Sequence, residues 1–288
     1  MTIAHRGDSR NVPSAGTGLR RRRRPVHVHF SRSSDSLREL ARNDFRVSAR
    51  VVDLTNDEVL FAVDDETAVP GVNVGRLVLL IEVAAGLQSG RLSARELIDR
   101  EGLEAEPSRG LWRSLQTPTL TLGDLAALVG ATNDAWAEHL LLRRVGVGAM
   151  RARAHRLGLT SETSEDFARA NARQVTSLLA SLAHGSVSSV AVSRQVVRWL
   201  ALNSDLSLAS SAFGLDPHEH PHSQRGISLV NATCNAPGVL SEAAIVQGSS
   251  GILAFSVSVS GDDRSLAARL TVINALRTLG EDLLERVY

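Results

Sequence analysis

The sequence predicts an α+β fold, an antiparallel β-sheet flanked by terminal helices with an all-helical lobe set against it. Three observations carry this expectation. A strand-like alternation from Phe45 to Val63 folds back at Thr55-Asn56-Asp57-Glu58. A long middle stretch has mostly helical spacings. The last third holds three strand-like runs and closes on leucines spaced by three and four.

Composition narrows the function classes. A chain of 288 residues can bury a sizeable core, and its net charge of +1 favours neither a nucleic-acid partner nor a membrane surface. One cysteine excludes an internal disulfide. No apolar run reaches the roughly 18 residues of a membrane span. The amino terminus has no run of signal-peptide character, which sets the expectation of a cytoplasmic protein. No lysine occurs anywhere, so every basic side chain other than histidine is arginine, which stays protonated and cannot act as a lysine-type base. No metal or cofactor is expected.

In chain order, residues 1–31 are polar and contain the run Arg20 to Arg24. Such a run suits nucleic acid or anionic lipid, but no aromatic residues are interleaved for stacking, so it reads as a disordered, solvated basic arm. Residues 32–288 are expected to form one domain. Ser34 to Asn43 reads as a helix capped by Ser34 or Asp35, with Leu37, Leu40 and Ala41 inward. Phe45–Asp53 and Val59–Val63 read as a hairpin. Val74 to Leu92 is mostly apolar and too long for a buried strand, and reads as a helix closed by a glycine-bearing turn. Ser93-Ala94-Arg95-Glu96 has the pattern of a capping box. After an irregular stretch around Pro107 to Trp112, helices are expected at 119–129, 149–157, 170–183 and 192–202. Strands follow at 227–231, 239–247 and 252–259, then a helix over 264–286 with Leu266, Leu270, Ile273, Leu276, Leu279 and Leu283 on one stripe.

Several phrases within this order carry a resemblance. A hairpin ending in Ala68-Val69-Pro70-Gly71 leads directly into Asn73-Val74-Gly75-Arg76 at a buried helix start. Leu140-Leu141-Leu142-Arg143-Arg144-Val145-Gly146 is a leucine-rich helix ending, and Asn171-Ala172-Arg173-Gln174-Val175 opens another helix. Ala232-Thr233-Cys234 is followed by Asn235-Ala236-Pro237-Gly238-Val239. From about Ser34 onward the chain resembles the serine β-lactamase and penicillin-binding-protein family, especially a branch that includes an esterase-like protein of clavam biosynthesis. The resemblance implies a class A β-lactamase-like fold. It places an α/β lobe at 32–70 and 205–288 and a helical lobe at 71–204.

It also assigns motif positions. Ser-x-x-Lys falls on Asn73 and Arg76, and Lys-Thr-Gly falls on Ala232, Thr233 and Cys234. The Ser-Asp-Asn loop falls on Asn133, Asp134 and Ala135, or, one residue earlier, on Thr132, Asn133 and Asp134. The family's deacylating glutamate has only Glu162 and Glu165 as counterparts, and no pattern fixes either of them.

Acyl-enzyme chemistry needs a nucleophile, a base and two backbone donors for an oxyanion. Asn73 offers a weakly nucleophilic carboxamide and Arg76 cannot accept a proton, so serine-based β-lactam hydrolysis is not expected at this site. The N–H groups of Asn73 and Asn235 would stand where the family builds its oxyanion hole. The helix start and Arg76 add positive charge, which suits an anionic small molecule. The competing reading has Arg76 neutralised by Asp134. Asp134 or a rim histidine, His218 or His220, would move protons.

Cys234 reads either as a nucleophile made acidic by a cationic neighbour or as a small apolar residue. His218, His220 and His222 alternate around Pro221, a weak zinc pattern that suits an exposed loop better. Trp112 and Trp136 read as flat walls for a substrate or as core, Trp199 as core. Asn133 and Thr233 complete the expected contact set. Two functions follow: a repurposed enzyme of bacterial specialised metabolism acting on an anionic small molecule, or a pseudoenzyme that binds a ligand or protein.

Overall fold

A computed structural model describes residues 30–70, 74–100, 107, 109–159, 169–220 and 226–288. The expectations placed on the Arg20 to Arg24 run, Asn73, Glu162, Glu165 and His222 lie outside these residues.

The first helix, α1, spans Ser31–Arg42, three residues earlier than its expected start. Neither Ser34 nor Asp35 caps it. Its first turn is held instead by Asp282, whose carboxylate accepts from Ser33 N and from Ser33 Oγ over 3.3 and 2.5 Å. That tertiary acceptor replaces a local cap for an otherwise orphaned amide. Leu37 and Leu40 are buried, but Ala41 is exposed, because Asn43 ends the helix one residue beyond Arg42 and the buried stripe stops at Leu40.

Strand β1 (Arg46–Asp53) pairs with β2 (Glu58–Val63) as the alternation predicted. The short β3 (Val69–Pro70) leads to α2 (Val74–Gln88), and Gly90 turns the chain at φ +72°. Leu77, Leu80 and Ile81 of α2 are fully buried. Each such side chain contributes about 1.5–3 kcal/mol by leaving water.

Ser93 caps no helix. Glu96 N donates to Ser93 O in a turn, and the Glu96 carboxylate is drawn to Arg144 instead of reaching back. The chain runs on as β4 (Leu97–Asp99), paired with β5 (Thr119–Thr121). The helix expected from Thr119 therefore begins only at Leu122. Thr121 caps it by accepting from Asp124 N, and α3 reaches Thr132. α4 (Ala135–Val145), α5 (Val147–Arg156), the two-residue β6 (Arg169–Ala170), α6 (Ala172–Ala183) and α7 (Val190–Leu200) follow.

A 3₁₀ turn at Ala209–Phe213 precedes β7 (Ser228–Ala236), β8 (Val239–Gln247) and β9 (Ile252–Ser260). β7 outruns its expected end at Asn231 because β8 supplies a ladder partner for each residue to Ala236. Small polar residues there obscure the strand pattern. The chain closes with α8 (Leu266–Val287), capped by Ser265. Leu266 and Leu270 lie off its buried stripe and are 69% and 49% exposed. The stripe is Ala268, Val272, Ala275, Leu276, Leu279 and Leu283. A helix turns about 100° per residue, so a two-residue offset reverses the face.

The main sheet has the order β2-β1-β9-β8-β7 and is antiparallel throughout. One face joins α1, α8 and the 3₁₀ turn in a core holding Leu37, Val51, Phe255 and Leu279. The other face contributes Val230, Ala243, Ile245 and Ala254 to a second core with the helical lobe. β7 is an edge strand, and its far end meets α2 and the α3–α4 junction.

Candidate functional site

The α3–α4 junction is built around Asp134. Asn133 turns the chain at φ +56°, a left-handed conformation that asparagine tolerates well, and Asp134 becomes the N-cap of α4. Its Oδ1 accepts from Trp136 N and Ala137 N at 3.0 Å each, and Oδ2 accepts from Trp112 N at 2.8 Å. Gly110, at φ +136°, lies against this carboxylate; a Cβ there would stand 2.7 Å from Oδ1. Asp134 is fully buried and spends its acceptors on amides. The structure thus corrects both expectations for it: Asp134 does not neutralise Arg76 and is not placed to carry protons.

Arg76, in the first turn of α2, is 7% exposed. Its Nη1 donates to Asn133 Oδ1 and, over 3.2 Å, to Thr233 O on β7. Its Nη2 lies 3.5 Å from Glu138 Oε2. Asn133 Nδ2 also donates to Thr233 O and Oγ1, at 3.1 and 3.2 Å. Arg76, Asn133 and Thr233 are therefore brought together, as a clasp between α2, the α3–α4 junction and β7. Glu138, which composition alone did not single out, is the carboxylate partner. It stands one helical turn after Asp134, at i+4, which is the spacing that would have pointed to it.

Cys234 is half-buried beside this clasp. Burial pushes its thiol up from the usual range, opposed by the charges of Arg76 and Arg109. The expectation of an acidic thiol is corrected: desolvation outweighs the cations. Asn235 is exposed, and its Oδ1 accepts from Arg269 of α8 over 2.6 Å, so its side chain is engaged away from the clasp.

Both candidate tryptophan walls belong to the core. Trp112 is 0% and Trp136 5% exposed. The Arg100 guanidinium lies 5.7 Å from one ring centroid and 5.8 Å from the other, within cation–π range of both. Trp112 Nε1 donates to Thr117 O at 2.9 Å. Trp112 thus has its polar edge satisfied inside the core, whereas Trp136 Nε1 is buried with no hydrogen-bond partner among the described residues. Trp199 is also buried, as expected.

The histidines divide. His218 is exposed in a turn, its N–H donating to Asp216 Oδ1. His220 is 3% exposed, not part of an exposed loop, and its Nε2 meets Asn203 O at 2.9 Å. A carbonyl only accepts, so Nε2 carries the proton. Among the described residues no group of three or more His, Cys, Asp or Glu could hold a metal ion. None of the described helices is long and apolar enough to cross a membrane.

Behind the clasp runs a buried polar relay. Asn203 Nδ2 donates to Asn231 Oδ1 at 3.0 Å, and Asn231 Nδ2 donates to Glu242 Oε1 at 2.8 Å. Ser210 gives Glu242 both its N–H and its hydroxyl. Burial raises the Glu242 pKa, and these hydrogen bonds oppose the rise. A single carboxylate inside the apolar run from Val239 to Val246 was the sequence signal for it.

The profile of a family described as "Beta-lactamase enzyme family" matches residues 32–287. A β-lactamase from Sphaerobacter thermophilus DSM 20745 superposes with a TM-score of 0.75 at 18% identity, covering 89% of this chain and 97% of that one. A β-lactamase from Xanthomonas campestris pv. campestris str. ATCC 33913 gives 0.73 at 16% identity, over 89% and 97%. The structure of PBP-A gives 0.72 at 12% identity, over 88% and 96%. No curated protein sequence matches. At these identities the superpositions speak for the fold.

Proposed function

The chain belongs to the β-lactamase enzyme family, and from that premise we propose that it has left serine acyl-enzyme chemistry and acts as a binding protein for an anionic small molecule. The observation that carries this reading is the Arg76 clasp. Where the family's motif holds a lysine, this chain has a guanidinium engaged with Asn133, Thr233 O and Glu138. It can neither take a proton from a nucleophile nor shuttle one. The nucleophile position is Asn73. Arg109, exposed and near enough to influence Cys234, remains at this edge as a cation for an incoming carboxylate.

A second reading, a repurposed enzyme of bacterial specialised metabolism, rests on the one thiol of the chain, Cys234, standing beside the clasp. One experiment separates them. The full chain is incubated with penicillin G, intact mass is recorded, and melting is followed with small carboxylates, phosphates and β-lactams. A binding protein gives no covalent adduct and a reversible rise in Tm that is smaller in Arg109→Ala. An adduct that disappears in Cys234→Ser, or turnover of any of these compounds, overturns it in favour of the enzyme.

A further inference from the structure

A second cavity lies away from this clasp. A groove of about 560 Å³ opens between α7 and the end of the sheet where β7 begins, β8 ends and β9 starts. Its volume is within the range of small-molecule sites.

Both walls follow from the register of the chain. On α7, Val190, Ser193, Arg194, Val197 and Arg198 line the groove. These positions, spaced i, i+3, i+4, i+7 and i+8, form one helical face. On the sheet, Ser228 pairs with Gln247, Val230 with Ile245, and Gln247 with Ile252. Directly paired residues share a face, so Val230, Ile245 and Ile252 form an apolar floor with Ser228 and Gln247 at its rim. Leu182 and His184, at the end of α6, close one side.

Charge is distributed unevenly over this lining. Among the described residues it includes two arginines and a histidine but no carboxylate. Arg194 and Arg198 are exposed, and among the described residues neither forms a salt bridge with an acid; Arg198 donates only to the neutral Gln195 side chain. Other arginines of this chain are drawn to acids, as Arg153 is to Glu82, Arg286 to Asp53 and Arg32 to Asp282. Val190, also in the lining, leaves 52% of its surface exposed. An apolar floor beneath two cations suits a ligand with a hydrocarbon body and one negative head.

We propose that this groove binds a linear amphiphilic carboxylate, with the alkyl chain on Val230, Ile245, Ile252 and Val197 and the carboxylate on Arg194 and Arg198. The α7 face from Val190 to Arg198 is about 12 Å long. That matches a chain of about ten carbons, since each C–C bond of about 1.5 Å advances an extended chain by somewhat less. The site is separate from the one in the proposed function. Val230 stands three residues from Thr233 of the clasp along β7, about 10 Å, and on the opposite face of the strand.

The test is isothermal titration of the full chain with decanoate, decyltrimethylammonium and acetate. The expected result is one saturable decanoate site, with no binding of the cationic amphiphile and no displacement of decanoate by acetate. Arg194→Gln/Arg198→Gln weakens decanoate at least about tenfold, while Arg194→Lys/Arg198→Lys retains most of the affinity. Arg109→Ala leaves it unchanged. Both arginines are exposed, and unchanged melting of the double variants confirms that the fold is retained. The proposal is overturned if decanoate fails to bind, if both amphiphiles bind alike, or if the glutamine variant binds as the wild type does. Loss in Arg109→Ala with retention in the glutamine variant also overturns it, by moving the site to the clasp.

Discussion

Asn231 on β7 donates to Glu242 on β8 over 2.8 Å, and the two stand diagonally on the sheet face that also carries Leu229 and Ala244. The bond satisfies a carboxyl group that is 1% exposed. Burial nonetheless dominates and holds Glu242 above its ordinary pKa of 4.5.

The sign of the pH effect follows. Because the folded value is raised, the contribution of Glu242 to stability is fully present below about pH 4.5 and is lost as pH rises through the raised value. Glu242→Gln stays neutral throughout. Urea denaturation is expected to find the variant gaining on the wild type as pH rises above about 4.5. A difference constant with pH would contradict a titrating Glu242.

Asp134 stabilises the junction by accepting from three backbone amides. Asp134→Ala removes the acceptors of Trp112 N, Trp136 N and Ala137 N together. The expected loss is about 2–3 kcal/mol, combining a helix cap with a further buried amide left unpaired. Chemical denaturation measures it, and a loss under about 0.5 kcal/mol would mean that the junction has other support.

Close helix packing gives a contrasting pair of glycines. A Cβ on Gly130 of α3 would stand 2.4 Å from Trp199 O and 2.7 Å from its carbonyl carbon on α7. Gly130→Ala must separate the two backbones and is expected to cost about 1–3 kcal/mol. Gly148 of α5 has nothing within 4 Å of the same position. Gly148→Ala is expected to stabilise by about 0.5–1 kcal/mol through helix propensity. Opposite signs in thermal melts are the prediction.

Cys234 is expected to alkylate slowly at pH 7 and to speed up above the ordinary cysteine range, because burial raises its thiol. Arg109 lowers that value, so Arg109→Ala is expected to move the alkylation profile to still higher pH. Rapid alkylation at pH 6 by iodoacetamide would show an activated thiol instead.

Regular periodicity made the main elements legible. β8 follows its expected bounds, and α2 its apolar run, because packing reinforced the local preference. Arg76, Asn133 and Thr233, singled out through the resemblance, meet in one clasp. What escaped detection was decided by partners distant in sequence. Ser93 looked like a cap, yet pairing of Leu97–Asp99 with Thr119–Thr121 outweighed it. Asp134 faces amides and Arg76 faces Glu138 because of helix phase at one junction, which motif matching does not report. Likewise, Trp112 and Trp136 are enclosed by Arg100, whose role depends on the β4–β5 pairing.

The pairing of β1 with β9 sets the order in which this chain can be completed. Arg46–Asp53 lies against Ile252–Ser260 at the middle of the sheet, with the whole helical lobe between them in sequence. During synthesis the first hairpin emerges long before that neighbour, with Val47, Ala49 and Val51 uncovered. Loop closure over such a separation is slow, and an open apolar edge invites pairing with other chains meanwhile. Nascent chains stalled before residue 252 are therefore expected to be chaperone clients, released to the native state only after β9 docks.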